Sequence, residues 1–195
     1  MNRMSACALA PTLAGALLMT GCAKETAEPV AATPPEAAAT GPDAVIADAL
    51  SAALPSMAAE AAVMDWDGTM LKSGTGRYTC MPTPPHQKAA GIQSPMCMDE
   101  TWMQWAHAWE KREPFQAAQV GISYMLGGDG GASNIDPYAT EATPDNQWVV
   151  EGPHLMILVP DPGMLEGIPT DPDNGGPYVM WKGTPYAHVM VPVAD

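Results

Sequence analysis

The stretch DETWMQWAHAWEKR, residues 99–112, decides how the folded part of this chain is organised. Asp99 suits the N-cap of a helix, and the basic pair that ends the stretch suits the negative end of a helix dipole. Trp102, Trp105 and Trp109 recur at positions i, i+3 and i+7, so a helix places them on one face. This pattern predicts an amphipathic helix whose tryptophan face packs in the core, with a ligand-binding platform as the alternative.

Two cysteines, Cys80 and Cys97, bracket the proline-rich segment that precedes this helix. Their spacing is too wide for a Cys-x-x-Cys redox or zinc motif. A disulfide that closes a loop of this size stabilises a fold by about 3 kcal/mol. We therefore predict a structural disulfide, with a metal-binding pair and free thiols as the alternatives.

Elements on both sides of the tryptophan stretch define the fold class. Residues 43–54 carry apolar side chains at helical spacing, and Pro55 ends that helix. Apolar runs bounded by Pro, Gly and Asp predict strands at residues 120–126, 148–150, 154–159, 178–181 and 187–191. The predicted fold over residues 43–195 is α+β. It has a single antiparallel sheet of about five or six strands, packed against one or two helices, and one disulfide.

The N-terminal stretch resembles a bacterial lipoprotein precursor. A positive charge is followed by an apolar run over residues 6–19 and then by small residues and Cys22, as in a cleaved secretory signal. Met19-Thr20-Gly21-Cys22 is similar to a lipobox, with Met in place of the usual Leu at its first position. The resemblance implies cleavage of the signal peptide, residues 1–21, and a membrane anchor through lipidated Cys22. Ala23 after the cysteine implies an outer-membrane lipoprotein that faces the periplasm.

Residues 22–42 consist largely of Ala, Pro, Thr and Glu. Such a composition buries too little apolar surface to order the chain, so we expect a disordered tether. The whole chain carries a formal charge of −14 with only 8 Lys and Arg. This balance argues against nucleic acid as a partner, because nucleic acid is a polyanion. In the mature domain, residues 177–193 resemble the C-terminus of small bacterial secreted proteins, and this resemblance implies no function.

An acidic motif, Asp65-Trp66-Asp67-Gly68-Thr69, admits two interpretations. It resembles the first motif of haloacid dehalogenase-like phosphatases, which implies Asp65 as nucleophile, Asp67 as general acid and Mg²⁺ as cofactor. The Asp67-Gly68 pair is also a strong signal for a two-residue hairpin turn, which would place Asp65 and Lys72 on the solvent face. The hairpin is favoured because the downstream sequence leaves little room for the βαβ units of a phosphatase.

Methionine is unusually common in this chain, with 15 residues against one phenylalanine. In a strand, His154 and Met156 would share one face, as would His188 and Met190. Cu(I) prefers imidazole and thioether ligands, so these pairs are candidates for copper binding. The alternative is that methionine fills the core in place of aromatic side chains.

Together these patterns favour a lipid-anchored cell-envelope protein that binds or scaffolds something without catalysis. A phosphatase that uses Mg and a copper-binding protein are the two alternatives. The membrane is the expected partner through the anchor, whereas the sequence identifies no protein or small-molecule partner.

Overall fold

The structure is a computed structural model that describes residues 41–194. The predicted signal peptide, the predicted lipidation site Cys22 and most of the predicted tether lie outside the described residues. No helix within 41–194 has both the length and the apolar composition that crossing a bilayer requires.

Residues 41–194 form four α-helices and ten β-strands. The helices are α1 (Pro42–Ser51), α2 (Pro55–Glu60), α3 (Pro85–Ala89) and α4 (Glu100–Lys111). The strands are β1 (Ala62–Met64), β2 (Met70–Lys72), β3 (Thr79–Met81), β4 (Met96–Met98), β5 (Gly121–Met125), β6 (Asp129–Ser133), β7 (Trp148–Glu151), β8 (His154–Leu158), β9 (Tyr178–Met180) and β10 (His188–Pro192). Two short 3₁₀ helices, Pro162–Leu165 and Pro172–Asn174, lie between β8 and β9.

Eight strands form one mixed sheet in the order β2-β1-β3-β4-β5-β8-β10-β9. Strands β1 and β3 run parallel, and the other neighbouring strands run antiparallel. Strands β6 and β7 pair separately as a two-stranded sheet. The predicted single antiparallel sheet of five or six strands is therefore wrong. The strands without a sequence prediction are β3, β4 and β6. Strands β3 and β4 have three residues each, too few for an alternating pattern to reveal them, and β6 lies in a glycine-rich segment.

The parallel pair arises because the chain leaves β2 at the edge of the sheet and returns on the far side of β1. Residues 73–78 make this connection. The backbone N–H groups of Thr75 and Gly76 both donate to the carbonyl oxygen of Glu60, at 2.9 Å. A Cβ on Gly74 would collide with the backbone next to Glu60, so this close approach requires glycine.

The helix predicted over residues 99–112 is confirmed as α4. The carboxylate of Asp99 caps it by accepting from the backbone N–H of Trp102 at 3.0 Å. Its second oxygen accepts from the N–H of Ile122 in β5 at 2.7 Å, so one side chain fixes the helix to the sheet. The helix predicted over residues 43–54 is α1, which ends at Ser51.

Alternation along the strands divides the large sheet into two faces. One, which we call the methionine face, carries seven buried methionines and is covered by α4 with the buried rings of Trp102 and Trp105. These methionines are Met81, Met96, Met98, Met125, Met156, Met180 and Met190. The opposite face carries Cys80 and Cys97, which pack against α1.

The disulfide predicted between Cys80 and Cys97 is confirmed. The two cysteines stand directly opposite each other on β3 and β4, and both are fully buried. The bond therefore lies on the face away from the methionines, and it joins the two strands that precede α4.

Candidate functional site

A cavity of about 350 Å³ opens between the methionine face and the aromatic side chains of α4. This volume is near the lower end of the range found for small-molecule sites. Its walls combine thioethers and aromatic rings with a few polar groups. The lining includes Met96, Met125, Met156, Met180, Met190, Trp105, Trp109, Trp181, Tyr138, Ala132 and His188.

Five methionines and His188 form what we call the cavity floor, and strand register explains why they meet. Met190 in β10 stands opposite Met156 in β8, and His188 stands opposite Met180 in β9. Met96 and Met125 reach the same cavity from β4 and β5. All six side chains are buried, so the floor is shielded from solvent in the described structure.

Three tryptophans and a tyrosine form what we call the aromatic wall. The planes of Trp105 and Trp109 differ by 3°, as do those of Trp105 and Trp181, with ring centroids 6.2 and 5.7 Å apart. Tyr138 continues the series, with its ring 6.0 Å from Trp109 and inclined by 8°. The wall is therefore a set of parallel π-faces that spans the cavity.

Backbone carbonyls hold these indoles in place. The Nε1–H of Trp109 donates to Pro137 at 3.0 Å, that of Trp181 to Ser133 at 2.6 Å, and that of Trp105 to Tyr186 at 3.4 Å. Because each indole donor is satisfied inside the protein, the rings are fixed before any ligand arrives.

His188 is the most unusual polar group on the cavity floor. Its side chain is fully buried, and its Nδ1 lies 2.9 Å from the carbonyl oxygen of Tyr186, so Nδ1 carries the proton. Its Nε2 then bears the lone pair and has no hydrogen-bond partner in the described part of the chain. Burial, together with a smaller effect of the nearby His154, lowers the pKa of His188 to about 4, although the hydrogen bond to the Tyr186 carbonyl acts in the opposite direction. The ring is therefore neutral at physiological pH.

The cavity lining also includes two charged residues, Arg112 and Asp129. Arg112 places its guanidinium 4.3 Å from the ring centroid of Tyr138, where the cation meets the π-face. Asp129 lies opposite Glu151 in the small sheet, and burial raises the pKa of the Asp129 carboxyl. Glu151 lies outside the lining and accepts a hydrogen bond from the hydroxyl of Tyr178 at 2.7 Å. Each of the two charged lining residues can interact with a polar substituent of a ligand.

The acidic motif forms a hairpin, as favoured from the sequence, but its turn differs from the predicted one. The N–H of Asp65 donates to the Thr69 carbonyl at 2.9 Å, and the N–H of Gly68 donates to the Asp65 carbonyl at 3.0 Å. The loop therefore has three residues and ends at Gly68 in the left-handed region, with φ at 84°. The ammonium of Lys72 turns away from Asp65 and donates to carbonyls at the end of α2, including that of Ala61 at 2.6 Å.

This geometry gives no support to the phosphatase interpretation. The Asp65 carboxylate accepts from the N–H of Trp66, and that of Asp67 accepts from the N–H of Thr69, both at 2.8 Å, so each is used inside the turn. Asp129, an acidic residue downstream of this motif, belongs to the small sheet rather than to a strand beside β1. Within residues 41–194, no group of three or more His, Cys, Asp and Glu side chains is placed to hold a metal ion.

The structure brings the two His-x-Met pairs onto one face but into different surroundings. His154 and Met156 lie on β8 and His188 and Met190 on β10, with the two methionines directly opposed. His154 is also fully buried, with its Nδ1 2.8 Å from the Gly152 carbonyl, but it does not line the cavity. Of the two histidines, only His188 reaches the cavity floor.

Sequence reasoning missed the residues that complete the site from β6 and β9. The sequence predicts Met180 and Trp181 only as part of a strand, and no pattern singles out Ala132. The alternation in β9 could have placed Met180 on the face of Met190, had the pairing of these strands been known. Trp181 has φ at 56°, which turns its ring into the cavity at a position where no strand pattern would predict it.

Comparisons of this chain with models of protein families, with curated proteins and with solved structures find no match. The functional conclusion therefore depends on the geometry of the cavity.

Proposed function

We propose that this domain binds a small, flat and largely apolar molecule in the cavity without catalysing its conversion. The observation that carries the proposal is the cavity itself, which is bounded by the parallel rings of the aromatic wall and by five methionine thioethers. Ligand sites in proteins are predominantly apolar and largely preformed, with a few polar groups that orient the ligand. The cavity has each of these properties.

The shape and chemistry of the walls select the class of ligand. Parallel rings favour a planar molecule, because offset stacking adds about 0.5–1.5 kcal/mol for each aromatic pair beyond the area that is buried. Methionine side chains adapt to ligands of varied outline, since their three rotatable bonds and polarisable sulfur tolerate imperfect fit. Arg112 and Asp129, which also line the cavity, would orient a polar substituent of the ligand.

A neutral naphthalene dye, N-phenyl-1-naphthylamine, is a suitable probe for this site. We expect saturable binding of one dye per chain, with a blue-shifted dye emission and quenching of tryptophan fluorescence. Ala132→Phe fills the cavity from β6 and should weaken binding by about tenfold or more. Ala118→Phe is the matched control, because it makes the same change at an exposed position outside the cavity.

Circular dichroism of both variants establishes that they fold. Equal dye binding by the two folded variants, or no saturable binding by the unmodified protein, would refute the proposal.

We further propose that this domain acts in the cell envelope, held to the membrane through Cys22. The lipobox-like sequence Met19-Thr20-Gly21-Cys22 supports this location. The Cys80–Cys97 disulfide also supports it, since disulfides persist in oxidising compartments. Metabolic labelling with radioactive palmitate tests the anchor: the unmodified protein should carry the label and a Cys22→Ser variant should not. Equal labelling of this variant would exclude Cys22 as the anchor.

A further inference from the structure

We propose that the cavity floor is a binding site for a single Cu(I) ion, held by His188 Nε2 and by the thioethers of Met156, Met180 and Met190. This inference goes beyond the binding of an apolar molecule, although it uses residues of the same cavity floor. Each donor is buried, and all four belong to the neighbouring strands β8, β10 and β9.

The nitrogen donor is in the state that a metal requires. The hydrogen bond from Nδ1 to the Tyr186 carbonyl fixes the tautomer of His188 and leaves the Nε2 lone pair free. Histidines that bind metals commonly have this second-shell arrangement. A buried acceptor without a partner is destabilising, so this nitrogen carries a penalty that no contact in the described part of the chain offsets. A bound cation would remove it.

Strand register places the three sulfur donors on the same face of the sheet as His188. Met180 stands directly opposite His188, where cross-strand Cβ atoms are typically about 4.5–5.5 Å apart. Met190 follows His188 by two residues on the same face, and Met156 stands opposite Met190. The flexible methionine side chain can bring its sulfur to a common centre by rotation about its terminal bonds.

The donor set selects the ion. Thioether and imidazole are soft or borderline ligands that suit Cu(I), whereas Mg²⁺ and Ca²⁺ require oxygen ligands. All four donors are neutral, so a monovalent ion leaves less uncompensated charge in a buried site than a divalent ion would. The indoles of Trp102, Trp105 and Trp181 lie nearly perpendicular to the His188 ring, with centroids 5.1–5.8 Å from its own, so aromatic rings enclose the nitrogen donor.

Competition with a chromophoric Cu(I) chelator, bicinchoninate, tests this site directly. The purified protein is titrated without oxygen in ascorbate, which keeps copper reduced without cleaving the Cys80–Cys97 disulfide. We expect one Cu(I) per chain. Met180→Leu and Met190→Leu should each weaken binding by about tenfold or more, since each removes a sulfur donor while conserving side-chain volume. X-ray absorption should show sulfur scatterers with one nitrogen scatterer.

Met98→Leu is the matched control, because Met98 is equally buried on the methionine face but does not line the cavity. It should leave Cu(I) affinity unchanged. Failure of the protein to take Cu(I) from the chelator would overturn the site, as would equal affinity in all three methionine variants. His188→Gln should also weaken binding if it folds, and the two cavity variants decide the question if it does not.

The outcomes for copper and for the apolar ligand are separable. Dye binding without Cu(I) binding would overturn the metal site alone, whereas Cu(I) binding without dye binding would overturn only the apolar-ligand proposal.

Discussion

A single buried imidazole accounts for much of the chemistry of this molecule. His188 is enclosed by three indole rings, and one of its two nitrogens is committed to a backbone carbonyl. Burial in such an apolar environment disfavours the imidazolium, so the pKa falls to about 4 from an unperturbed value near 6.5. His188 therefore offers a free lone pair on Nε2, and its lowered pKa makes the stability of the folded protein sensitive to acid.

This pKa predicts how the stability of the metal-free protein depends on pH. The unfolded state binds a proton near pH 6.5, whereas the folded state does so only near pH 4. The contribution of His188 to stability is therefore constant above pH 6.5 and is lost as the pH falls from 6.5 towards 4. Between pH 7 and 4.5 the expected loss in the free energy of unfolding is about 2–3 kcal/mol.

Urea unfolding at these two pH values measures the effect. The loss should be smaller by about that amount in His188→Gln than in the unmodified protein. It should persist in His107→Gln, which changes an exposed histidine of α4. The same pH dependence in both variants would show that His188 titrates normally.

Among the helices and strands, α4 is the element that the sequence predicts most completely. The N-cap, the period of the tryptophans and the basic residues at its end all indicate the same helix, and tertiary contacts act in the same direction. The sequence predicts a hairpin at Asp67-Gly68 but does not determine the length of its turn. The same dipeptide serves a two-residue turn and a three-residue turn that ends in a left-handed glycine, and only the second fits the observed bonds of Asp65.

Asp99 should contribute more to stability than an ordinary helix cap. Its two carboxylate oxygens satisfy the N–H groups of Trp102 in α4 and Ile122 in β5. Asp99→Ala removes both bonds in a buried setting, so the free energy of unfolding should fall by about 2–3 kcal/mol. Asp171→Ala removes an exposed cap of a 3₁₀ helix and should cost less than about 1 kcal/mol. Equal costs in urea denaturation would contradict this role for Asp99.

For the whole molecule, local pattern predicted helices and the disulfide but not the assembly of the sheet. The pairing of β1 with β3 depends on a connection that passes the end of α2. The hydrophobic pattern of residues 62–81 does not predict this pairing. The cavity is harder still to predict from the sequence than the pairing of the strands. Alternation can place Met156 and Met190 on a face, but the position of that face relative to α4 and β6 is set only by tertiary packing.

The whole-molecule arrangement also separates stability from binding. The disulfide and α1 lie on one face of the large sheet, whereas the cavity and α4 lie on the other. The binding site can therefore be probed through its own side chains without disturbing the covalent link between β3 and β4.

The most direct test of the cavity as a binding site uses the methionines themselves as reporters. With ¹³C-labelled methionine methyl groups, addition of N-phenyl-1-naphthylamine should shift the NMR signals of five residues, Met96, Met125, Met156, Met180 and Met190. The signals of Met70 and Met164, which are 51% and 58% exposed and lie outside the cavity, should stay in place. Shifts confined to the cavity methionines are the predicted result. Shifts at the exposed methionines with an unchanged cavity floor, or no shifts at all, would contradict it.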